Sequence, residues 1–482
     1  MPDSAVPYLN MMRTLLETSL RPSEPSAAKY AKYSHRMLTM LALRLEKLPA
    51  MQADALRNIN GVLDQLVAEL KNIDGNMILV PQLMRHVRKQ PDFAAALPFL
   101  QQAVRMLAEQ QTPARLALQQ QLAKIMLALE VALHQAAEEG AMKPPVAEQQ
   151  TEALTAAQRA RLTRYLRDRF PSDGALEIGG VRLIIGGGSK KTLIVELLNT
   201  VKLDQRIVLR IDNAGGVVDS KVVDEYDLIQ TVAKAGMKVA QPILCEPDAS
   251  VLGAPFLATS CIEGHNIGDW EEVTEPSREF ALDLADTLAK LHAIPEKGLR
   301  KGFPGVDVTT RERICRELAS FENSWRAYGE SSIAMEQAYA WLKSHLQFAE
   351  GQRSILHCDV GCHNMLGHDG RLTALLDWET AVVGNPAQDI SYVKHTVVQM
   401  LPWDEFLAAY AKAGGTVPSE GELDFYTLWR NIFTMHYEYM ARSFTLGGDP
   451  TGLIIAYSSQ HVYQYCNFEL HKTLVSLYER YE

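Results

Sequence analysis

Apolar side chains recur at helical spacing between residues 5 and 141 of this 482-residue chain, and few stretches there alternate as a strand would. The spacing predicts successive helices, two of which cover 27–48 and 51–73. Helices joined by short loops favour a bundle. We therefore predict an all-α domain over 1–145, ending in a linker at 140–145, whose surplus apolar faces would serve partner docking or homo-oligomer formation.

Short alternating segments follow residue 175 and predict a sheet region. The strands are expected at 178–185, 193–198, 206–211, 239–244 and 255–262, with one helix at 219–235. From Pro276 the pattern becomes helical again, and Phe280, Leu284 and Leu288 lie on one face. A strand-rich segment is thus followed by a helical one.

A short β-hairpin is predicted between Asn364 and Asp377, with the turn at Asp369-Gly370. Because a hairpin brings its two ends together, Asn364 and Asp377 should face one another, with Asp359 in the loop that enters the first strand. Two carboxylates and an amide oxygen would then converge. Such hard oxygen ligands suit Mg²⁺, and the combination indicates phosphoryl transfer.

The segments HCDVGCHN, LLDWE and GNPAQDISY, in this order, resemble the aminoglycoside phosphotransferase and choline kinase group of small-molecule kinases. The resemblance implies that Asp359 is the catalytic base and that His357 braces its loop. It also implies that Asn364 and Asp377 are the Mg²⁺ ligands. Asp389 would anchor the catalytic loop from below.

The same resemblance implies an α+β fold of the two-lobed protein-kinase type, with an antiparallel sheet in the N-lobe and a helical C-lobe. The N-lobe, with a leading basic helix, would occupy 146–262 and the C-lobe 263–482. The helical-bundle domain at 1–145 would precede both.

ATP is the cofactor that the resemblance implies, and several residues are expected to hold it. A glycine-rich turn lies between two strands, where backbone N–H groups can approach phosphates. It is not a Walker A motif, because Lys190 stands where that motif requires glycine. The expected nucleotide-binding residues are Gly187, Gly188 and Ser189 of this turn, Arg210 with its ion-pair partner Glu225, and Ser260 and Ile262 of the interlobe hinge.

Two other interpretations of the motif region are weaker. His357, Cys358, Cys362 and His363 could bind Zn²⁺, but no second Cys or His pair accompanies them. The acidic residues could instead cap turns, as Asp and Asn often do. Neither interpretation explains the ordered combination of motifs.

Composition narrows the class of protein. The net charge of −10 argues against a general nucleic-acid binder. Six scattered cysteines fit a reducing compartment, and we found neither a signal-peptide pattern nor an apolar run of membrane-spanning length. We therefore expect a cytoplasmic protein without nucleic-acid or membrane partners.

Two clusters of positive charge are noted. Five arginines lie on a predicted helix at 156–170. They form either a solvated face with acidic partners nearby or a binding surface for an anionic substrate. Near the C-terminus, aromatic surface and positive charge would suit a carboxylate or phosphate of the acceptor, although most residues there are expected to pack; the residues are Trp429, Arg430, His436, Tyr437 and Arg442.

The expected function is ATP- and Mg²⁺-dependent phosphoryl transfer to a hydroxyl group of a small molecule, with a hydroxy acid or hydroxyacyl-CoA as the favoured acceptor. An aminoglycoside or macrolide antibiotic is the alternative acceptor. From another class, the chain could be a pseudokinase-like binding protein, but the intact set of Asp359, Asn364 and Asp377 weighs against that.

Overall fold

The computed structural model describes most of the chain. The described ranges are 26–74, 78–138, 153–184, 190–212, 220–268, 272–446 and 450–481. The predictions for Gly187, Gly188 and Ser189, and for the linker at 140–145, lie outside these ranges.

Helices dominate both ends of the described chain. They are α1 Ser26–Asp74, α2 Leu79–Leu83 with a π-helical continuation at Met84–Lys89, α3 Phe93–Ala108, α4 Pro113–Glu138, α5 Ala156–Arg169, α6 Val222–Lys234, α7 Arg278–His292, α8 Thr310–Tyr328, α9 Ile333–Ser344, α10 Ala387–Val397, α11 Trp403–Lys412, α12 Glu420–Leu446 and α13 Pro450–Tyr481. The two helices predicted over 27–48 and 51–73 are one continuous helix, α1, which passes through Pro49.

The strands lie between α5 and α10. They are β1 Glu177–Ile184, β2 Lys190–Leu198, β3 Arg206–Asp212, β4 Pro242–Glu246, β5 Phe256–Ser260, β6 His265–Asn266, β7 Ser354–Leu356, β8 Met365–His368, β9 Arg371–Leu375 and β10 Val382–Gly384. The first five form an antiparallel sheet in the order β1-β2-β3-β5-β4. The predicted antiparallel N-lobe sheet is therefore present, with β6, β8 and β9 in a separate small sheet.

Two compact units divide the chain. The first comprises Met1–Gln149, Leu318–His345 and Asn431–Glu482, and the second comprises Gln150–Glu317 and Leu346–Arg430. Two of the unit boundaries fall inside α8 and α12. The predicted domain boundary after residue 145 lies close to the observed one after Gln149, whereas the predicted boundary after residue 262 matches none. The N-terminal helices thus share a unit with segments that the sequence pattern placed in the C-lobe.

The first unit has its own apolar core. Its buried side chains come from α1, α3 and α4 and include Ile59, Leu63, Leu66, Leu100, Val104 and Leu122, each with no exposed surface. Ile333 of α9 belongs to the same core. Because α9 and α13 pack against α4, removing the N-terminal helices would uncover apolar surface on both. The expectation that the first 145 residues fold separately does not match this packing.

Part of α4, Pro113–Leu133, is long and apolar enough to cross a membrane by length and composition, with a mean hydropathy of 1.3. About 33% of that stretch is buried inside the structure. In the first unit α4 packs against α1, α9 and α13, which is also what a core helix of a bundle does.

A buried carboxylate joins two helices of the first unit. Glu336 of α9 accepts hydrogen bonds at Oε1 from Arg105 (2.5 Å), Gln101 (2.9 Å) and Arg326 (2.9 Å). Burial alone would raise the pKa of Glu336, but the hydrogen bonds from Arg326, Arg105 and Gln101 outweigh it and lower the pKa. The carboxylate therefore stays ionised and contributes stability at neutral pH.

We predict that Glu336→Gln lowers the free energy of unfolding by about 1–3 kcal/mol at pH 7, because Arg105 and Arg326 lose a charged, buried acceptor. A lowered folded-state pKa contributes stability above the unfolded-state pKa and loses it as pH falls through the folded value. The difference between Glu336→Gln and wild type should therefore shrink in acid. Denaturant titrations at pH 7 and at acidic pH measure the difference in unfolding free energy between the variant and wild type. Exposed Glu109→Gln is the control. Equal unfolding free energies of Glu336→Gln and wild type at pH 7 would contradict the prediction.

Two apolar cores lie in the described part of the second unit. One lies against the five-stranded sheet, where Leu162 and Leu166 of α5 pack with Leu193, Leu209 and other strand residues. The second core joins α6 and α7 to the helices and strands after residue 350. The hairpin β8–β9 contributes Met365, Leu372 and Leu375 to this core, which holds the candidate site in place.

Candidate active site

The hairpin β8–β9 has the predicted turn. Asp369 and Gly370 both adopt positive φ angles, 48° and 70°, as a two-residue hairpin turn of the favoured hand requires. At the open end, the Leu376 N–H donates to the carbonyl oxygen of Asn364 at 2.8 Å. Asn364 precedes β8 and Asp377 follows β9 closely, so the hairpin places them at the same edge.

Asp359 lies in the loop that enters the hairpin, and three side chains hold its carboxylate. Asn364 Nδ2 donates to Oδ2 at 2.7 Å, Tyr392 Oη donates to Oδ1 at 2.5 Å, and His363 Nε2 lies 3.4 Å from Oδ1. Burial alone would raise the pKa of Asp359, but the charge of His363 and the hydrogen bonds from His363 and Tyr392 lower it below its usual range. The carboxylate is therefore ionised and oriented before an acceptor arrives.

His357 is fully buried and contacts the backbone on both sides of the hairpin. Its Nε2 donates to the carbonyl oxygen of Leu376 at 2.8 Å, and its Nδ1 accepts from the Asp359 N–H at 3.3 Å. Both ring nitrogens of His357 are hydrogen-bonded, one to the backbone of Asp359 and one to the backbone just after β9. His357 therefore positions the catalytic loop in this structure, which agrees with the predicted bracing role.

Asp389 lies beneath the loop, at the start of α10, with no exposed surface. Its carboxylate accepts from the N–H groups of His357 (2.9 Å) and Cys358 (2.7 Å). His292 Nε2 lies 3.1 Å from the same carboxylate, and His292 Nδ1 lies 2.8 Å from Tyr410 Oη. Cys358 has a φ of 65°, so these bonds hold the loop in a conformation that non-glycine residues seldom adopt.

Arg210 projects from β3 toward a group of carboxylates. Along β3 the side chains of Ile207, Leu209 and Ile211 enter the core, and the period of two places Arg210 on the opposite face. Its Nε lies 3.2 Å from Glu225 Oε1, and its Nη2 lies 2.7 Å from Asp377 Oδ1. The structure thus brings together Arg210, the α6 carboxylate expected to pair with it, and a predicted metal ligand.

Lys190 adds a second cation to this group. It is 6% exposed, at the start of β2, and its Nζ lies 3.4 Å from Asp212 and 3.8 Å from Glu379. Burial and the neighbouring charge of Asp377 raise the pKa of Glu379 to about 8. Four carboxyl groups therefore share two cations here, and the raised pKa of Glu379 keeps that side chain largely protonated at neutral pH.

The oxygen atoms at the open end of the hairpin fit Mg²⁺. Asn364 directs its amide nitrogen to Asp359, which leaves its Oδ1 as a ligand atom, and the Asp377 carboxylate is 27% exposed. Mg²⁺ needs few protein ligands when phosphates supply others, and the excess of carboxyl groups would favour a divalent cation. In the part of the chain that the structure describes, no three His, Cys, Asp or Glu side chains form a metal cluster by themselves.

The alternative zinc set does not assemble in the structure. Cys358 Sγ accepts a hydrogen bond from Gln388 Nε2 at 3.2 Å, whereas Cys362 Sγ donates to the Glu272 carbonyl at 3.8 Å. His357 and His363 are engaged elsewhere, with the loop backbone and with Asp359. The four side chains therefore have separate structural partners.

The expected hinge lies at the end of β5, and one of its donors is already occupied. The Ser260 N–H donates to the carbonyl oxygen of Gln241 at 2.9 Å, and Ser260 Oγ accepts from the Gln241 N–H at the same distance. The Ser260 N–H is therefore not available to adenine, because β5 uses it to hold the segment before β4. Cys261 and Ile262 lie just beyond the end of β5.

The arginines of α5 mostly bind backbone carbonyl groups of the same unit. Arg159 donates to Gly179, Arg161 to Val251 and Arg167 to Leu176, at 2.5, 2.9 and 2.7 Å. They tie α5 to the sheet region, and Arg159 and Arg167 line, with Arg164, an open groove of about 610 Å³. These three arginines therefore bind backbone carbonyl oxygens rather than the acidic side chains that the sequence analysis offered as partners.

Sequence reasoning assigned no role to Tyr392, Lys190 or Glu379. Tyr392 ends the quoted segment GNPAQDISY and Glu379 belongs to LLDWE, so both stood inside recognised motifs. Lys190 was considered only as a residue of the glycine-rich turn. A buried lysine or glutamate cannot be told from an exposed one by its position in a motif.

We predict that Tyr392→Phe lowers kcat by about tenfold, because Asp359 loses a charge-assisted hydrogen bond that orients it. The KM for ATP should stay within a factor of about two, since Tyr392 contacts neither Arg210 nor Asp377 in the described structure. Steady-state ADP release measures both constants. The control is Tyr410→Phe, which removes a buried hydroxyl that contacts His292 instead, and equal kcat for wild type and Tyr392→Phe would contradict the prediction.

The antiparallel sheet with Arg210 on its open face, the helical lobe and the loop–hairpin site together define a protein-kinase-like phosphotransferase. The chain belongs to the phosphotransferase enzyme family, whose sequence model matches residues 186–426, half of its length. The resemblance inferred from the motifs, and the fold class it implied, are confirmed.

A curated relative is acyl-CoA dehydrogenase family member 11 of Mus musculus, 27% identical over 242 residues. The match covers 48% of this chain and 30% of the relative, so the chain spans less than a third of that protein.

Two solved structures are similar at greater distance. A macrolide 2′-phosphotransferase from Brachybacterium faecium is 20% identical, with a TM-score of 0.42, and the match covers 61% of this chain and 96% of that one. A thermostable mutant of an aminoglycoside phosphotransferase, solved with ADP and hygromycin B, is 13% identical, with a TM-score of 0.43 and coverage of 63% and 98%. Both are too distant to identify an acceptor.

Proposed function

We propose that this protein transfers the γ-phosphoryl group of ATP to a hydroxyl group of a small molecule, with Mg²⁺ as cofactor. The observation that carries the proposal is the Asp359 carboxylate, ionised and oriented by Asn364, Tyr392 and His363 beside the hairpin that presents Asp377. The Asp359 side chain is 21% exposed, which leaves its carboxylate accessible to an acceptor hydroxyl.

In the proposed reaction the acceptor hydroxyl donates a hydrogen bond to Asp359. The acceptor oxygen forms a bond to the γ-phosphorus as the bond from that phosphorus to the bridging oxygen of ADP breaks. The hydroxyl proton passes to Asp359. Because the pKa of Asp359 is low, its main contribution is to orient the hydroxyl, and the proton moves late in the transfer.

Arg210 is the cation we assign to the phosphates. A guanidinium remains charged at any working pH and can bind phosphate oxygens in a bidentate fashion. In the structure it binds Glu225 and Asp377, so nucleotide binding would exchange part of this pairing for phosphate contacts. Mg²⁺ held by Asn364 and Asp377 would neutralise charge on the phosphates.

For the acceptor we propose a hydroxy acid or hydroxyacyl-CoA. The support is the similarity to acyl-CoA dehydrogenase family member 11, a protein named for acyl-CoA chemistry, of which this chain matches 30%. A cationic aminoglycoside or a macrolide is the alternative acceptor, by the resemblance of the motifs to the aminoglycoside phosphotransferase group.

An acceptor screen by ADP release from Mg²⁺–ATP tests this function. The panel contains β- and γ-hydroxybutyrate, their CoA thioesters, kanamycin and erythromycin, with Asp359→Asn as the background. We expect acceptor-dependent release with a hydroxy acid or thioester and none with the variant. If only the antibiotics stimulate ADP release, the acceptor class is an antibiotic and not a hydroxy acid or thioester. If neither the panel nor a wider set of alcohols stimulates ADP release, the kinase function is rejected.

A further inference from the structure

Arg430, at the last position of the second unit, has no carboxylate partner among the residues that the structure describes. Its guanidinium carbon lies 4.4 Å from the centroid of the Tyr392 ring. Its Nε is buried and has no hydrogen-bond partner among the described residues. The Nε atoms of Arg210 and Arg313 also lack a hydrogen bond, but the guanidinium groups of these two residues pair with carboxylates, and in that respect Arg430 differs from them.

The ring contact alone does not balance the charge of Arg430. A cation–π contact attracts the guanidinium, but the ring face offers no lone pair to its five N–H groups. A buried N–H group without a hydrogen-bond partner is destabilising, and more so when it belongs to a charged group. The side chain is therefore arranged to receive an acceptor of hydrogen bonds that the described chain does not supply.

Tyr392 links Arg430 to the catalytic base. The Tyr392 hydroxyl donates to Asp359 Oδ1 at 2.5 Å while Arg430 lies over the face of the same ring. One phenol ring thus separates the guanidinium from the carboxylate that takes the acceptor proton. A small molecule whose hydroxyl reaches Asp359 would have the rest of its chain within reach of Arg430.

We propose that Arg430 binds an anionic group of the acceptor, a carboxylate or a phosphate, and so determines acceptor specificity. The inference rests on the proposed function and narrows its acceptor class to anionic molecules. The planar guanidinium suits both groups, because it can donate two parallel hydrogen bonds to a carboxylate or a phosphate. The carboxylate would belong to a free hydroxy acid, and the phosphate to the CoA carrier of a hydroxyacyl thioester.

The test compares wild type with Arg430→Gln and Arg430→Lys in the full chain. Acceptors are γ-hydroxybutyrate, its methyl ester and its CoA thioester, assayed by ADP release. We expect Arg430→Gln to raise KM about 10–100-fold for an anionic acceptor, the loss of one charge-assisted contact, with a smaller rise for Arg430→Lys. The KM for ATP should not change. Arg316→Gln, an exposed arginine of α8, is the matched control.

The pattern across acceptors identifies the anion. A rise in KM for the free acid but not for the methyl ester assigns Arg430 to the carboxylate, and a rise confined to the thioester assigns it to the carrier phosphates. An unchanged KM for all acceptors, or an equal loss with every acceptor together with a raised KM for ATP, would overturn the proposal.

A binding measurement separates this proposal from the function on which it rests. Calorimetric titration of γ-hydroxybutyrate and of coenzyme A into the ADP-loaded protein does not depend on turnover. We expect weaker binding of one of the two by Arg430→Gln than by wild type. Identical titrations for the two proteins would reject the role of Arg430 even if phosphoryl transfer is found, whereas a difference without any turnover would reject only the kinase function.

Discussion

Asp359→Asn is expected to lower kcat by about 10²–10⁴-fold, the range for removal of a general base. Asparagine keeps the shape of the side chain and can still accept the hydrogen bond from Tyr392, but it carries no charge and cannot take the acceptor proton. Nucleotide affinity should change little, because Asp359 contacts Asn364, Tyr392 and His363 and none of the groups around Arg210. Steady-state and single-turnover ADP release measure the effect.

The control for Asp359→Asn is Asp369→Asn in the turn of the same hairpin. Asp369 is 90% exposed and has a φ of 48°, which asparagine tolerates. This control should retain wild-type kcat. Near wild-type turnover of Asp359→Asn on the true acceptor would remove Asp359 from the role of base.

Asp377→Asn is expected to lower kcat/KM for Mg²⁺–ATP by about 10²–10³-fold, the range for loss of a preorganised electrostatic contact. The substitution removes one charge that faces both the metal and Arg210. Asparagine is preferred to alanine here because Asp377 has a φ of 63°, where alanine would add backbone strain of about 1 kcal/mol. The fold should be retained, since Asp377 lies at the end of a hairpin and is partly exposed.

Nucleotide titrations with and without Mg²⁺ test the assignment of Asp377 as a ligand. Wild type should bind ATP more tightly with Mg²⁺, and Asp377→Asn should lose most of that difference. Asp369→Asn again serves as control, because it matches the change in charge and the positive φ. A metal dependence equal to that of wild type would show that Asp377 is not a ligand.

The hairpin and its flanking residues could be predicted because their structure is local. Asp369-Gly370 favours one turn type, and the turn determines that Asn364 and Asp377 meet. The order of the motifs was enough to identify the family, and the alternation along β3 placed Arg210 on one face.

Contacts between residues far apart in the chain could not be predicted in this way. Tyr392 reaches Asp359 from 33 residues away, and Arg210 meets Asp377 across 167 residues. No periodicity within one element specifies which side chains of another element will face it. For the same reason Lys190 was overlooked, because only the packed sheet shows that its ammonium group is buried beside Asp212 and Glu379.

The sequence by itself determined the family, the hairpin and the helical character of both ends, since these follow from local order and spacing. Tertiary structure alone decided the composition of the first unit. The core of α1, α3 and α4 is completed by α9, because helices with apolar faces pack on whichever apolar face lies beside them, regardless of distance along the chain. Tertiary structure also decided that the Ser260 N–H donates to the Gln241 carbonyl oxygen. It likewise placed the Arg430 guanidinium over the Tyr392 ring, with no carboxylate partner among the described residues.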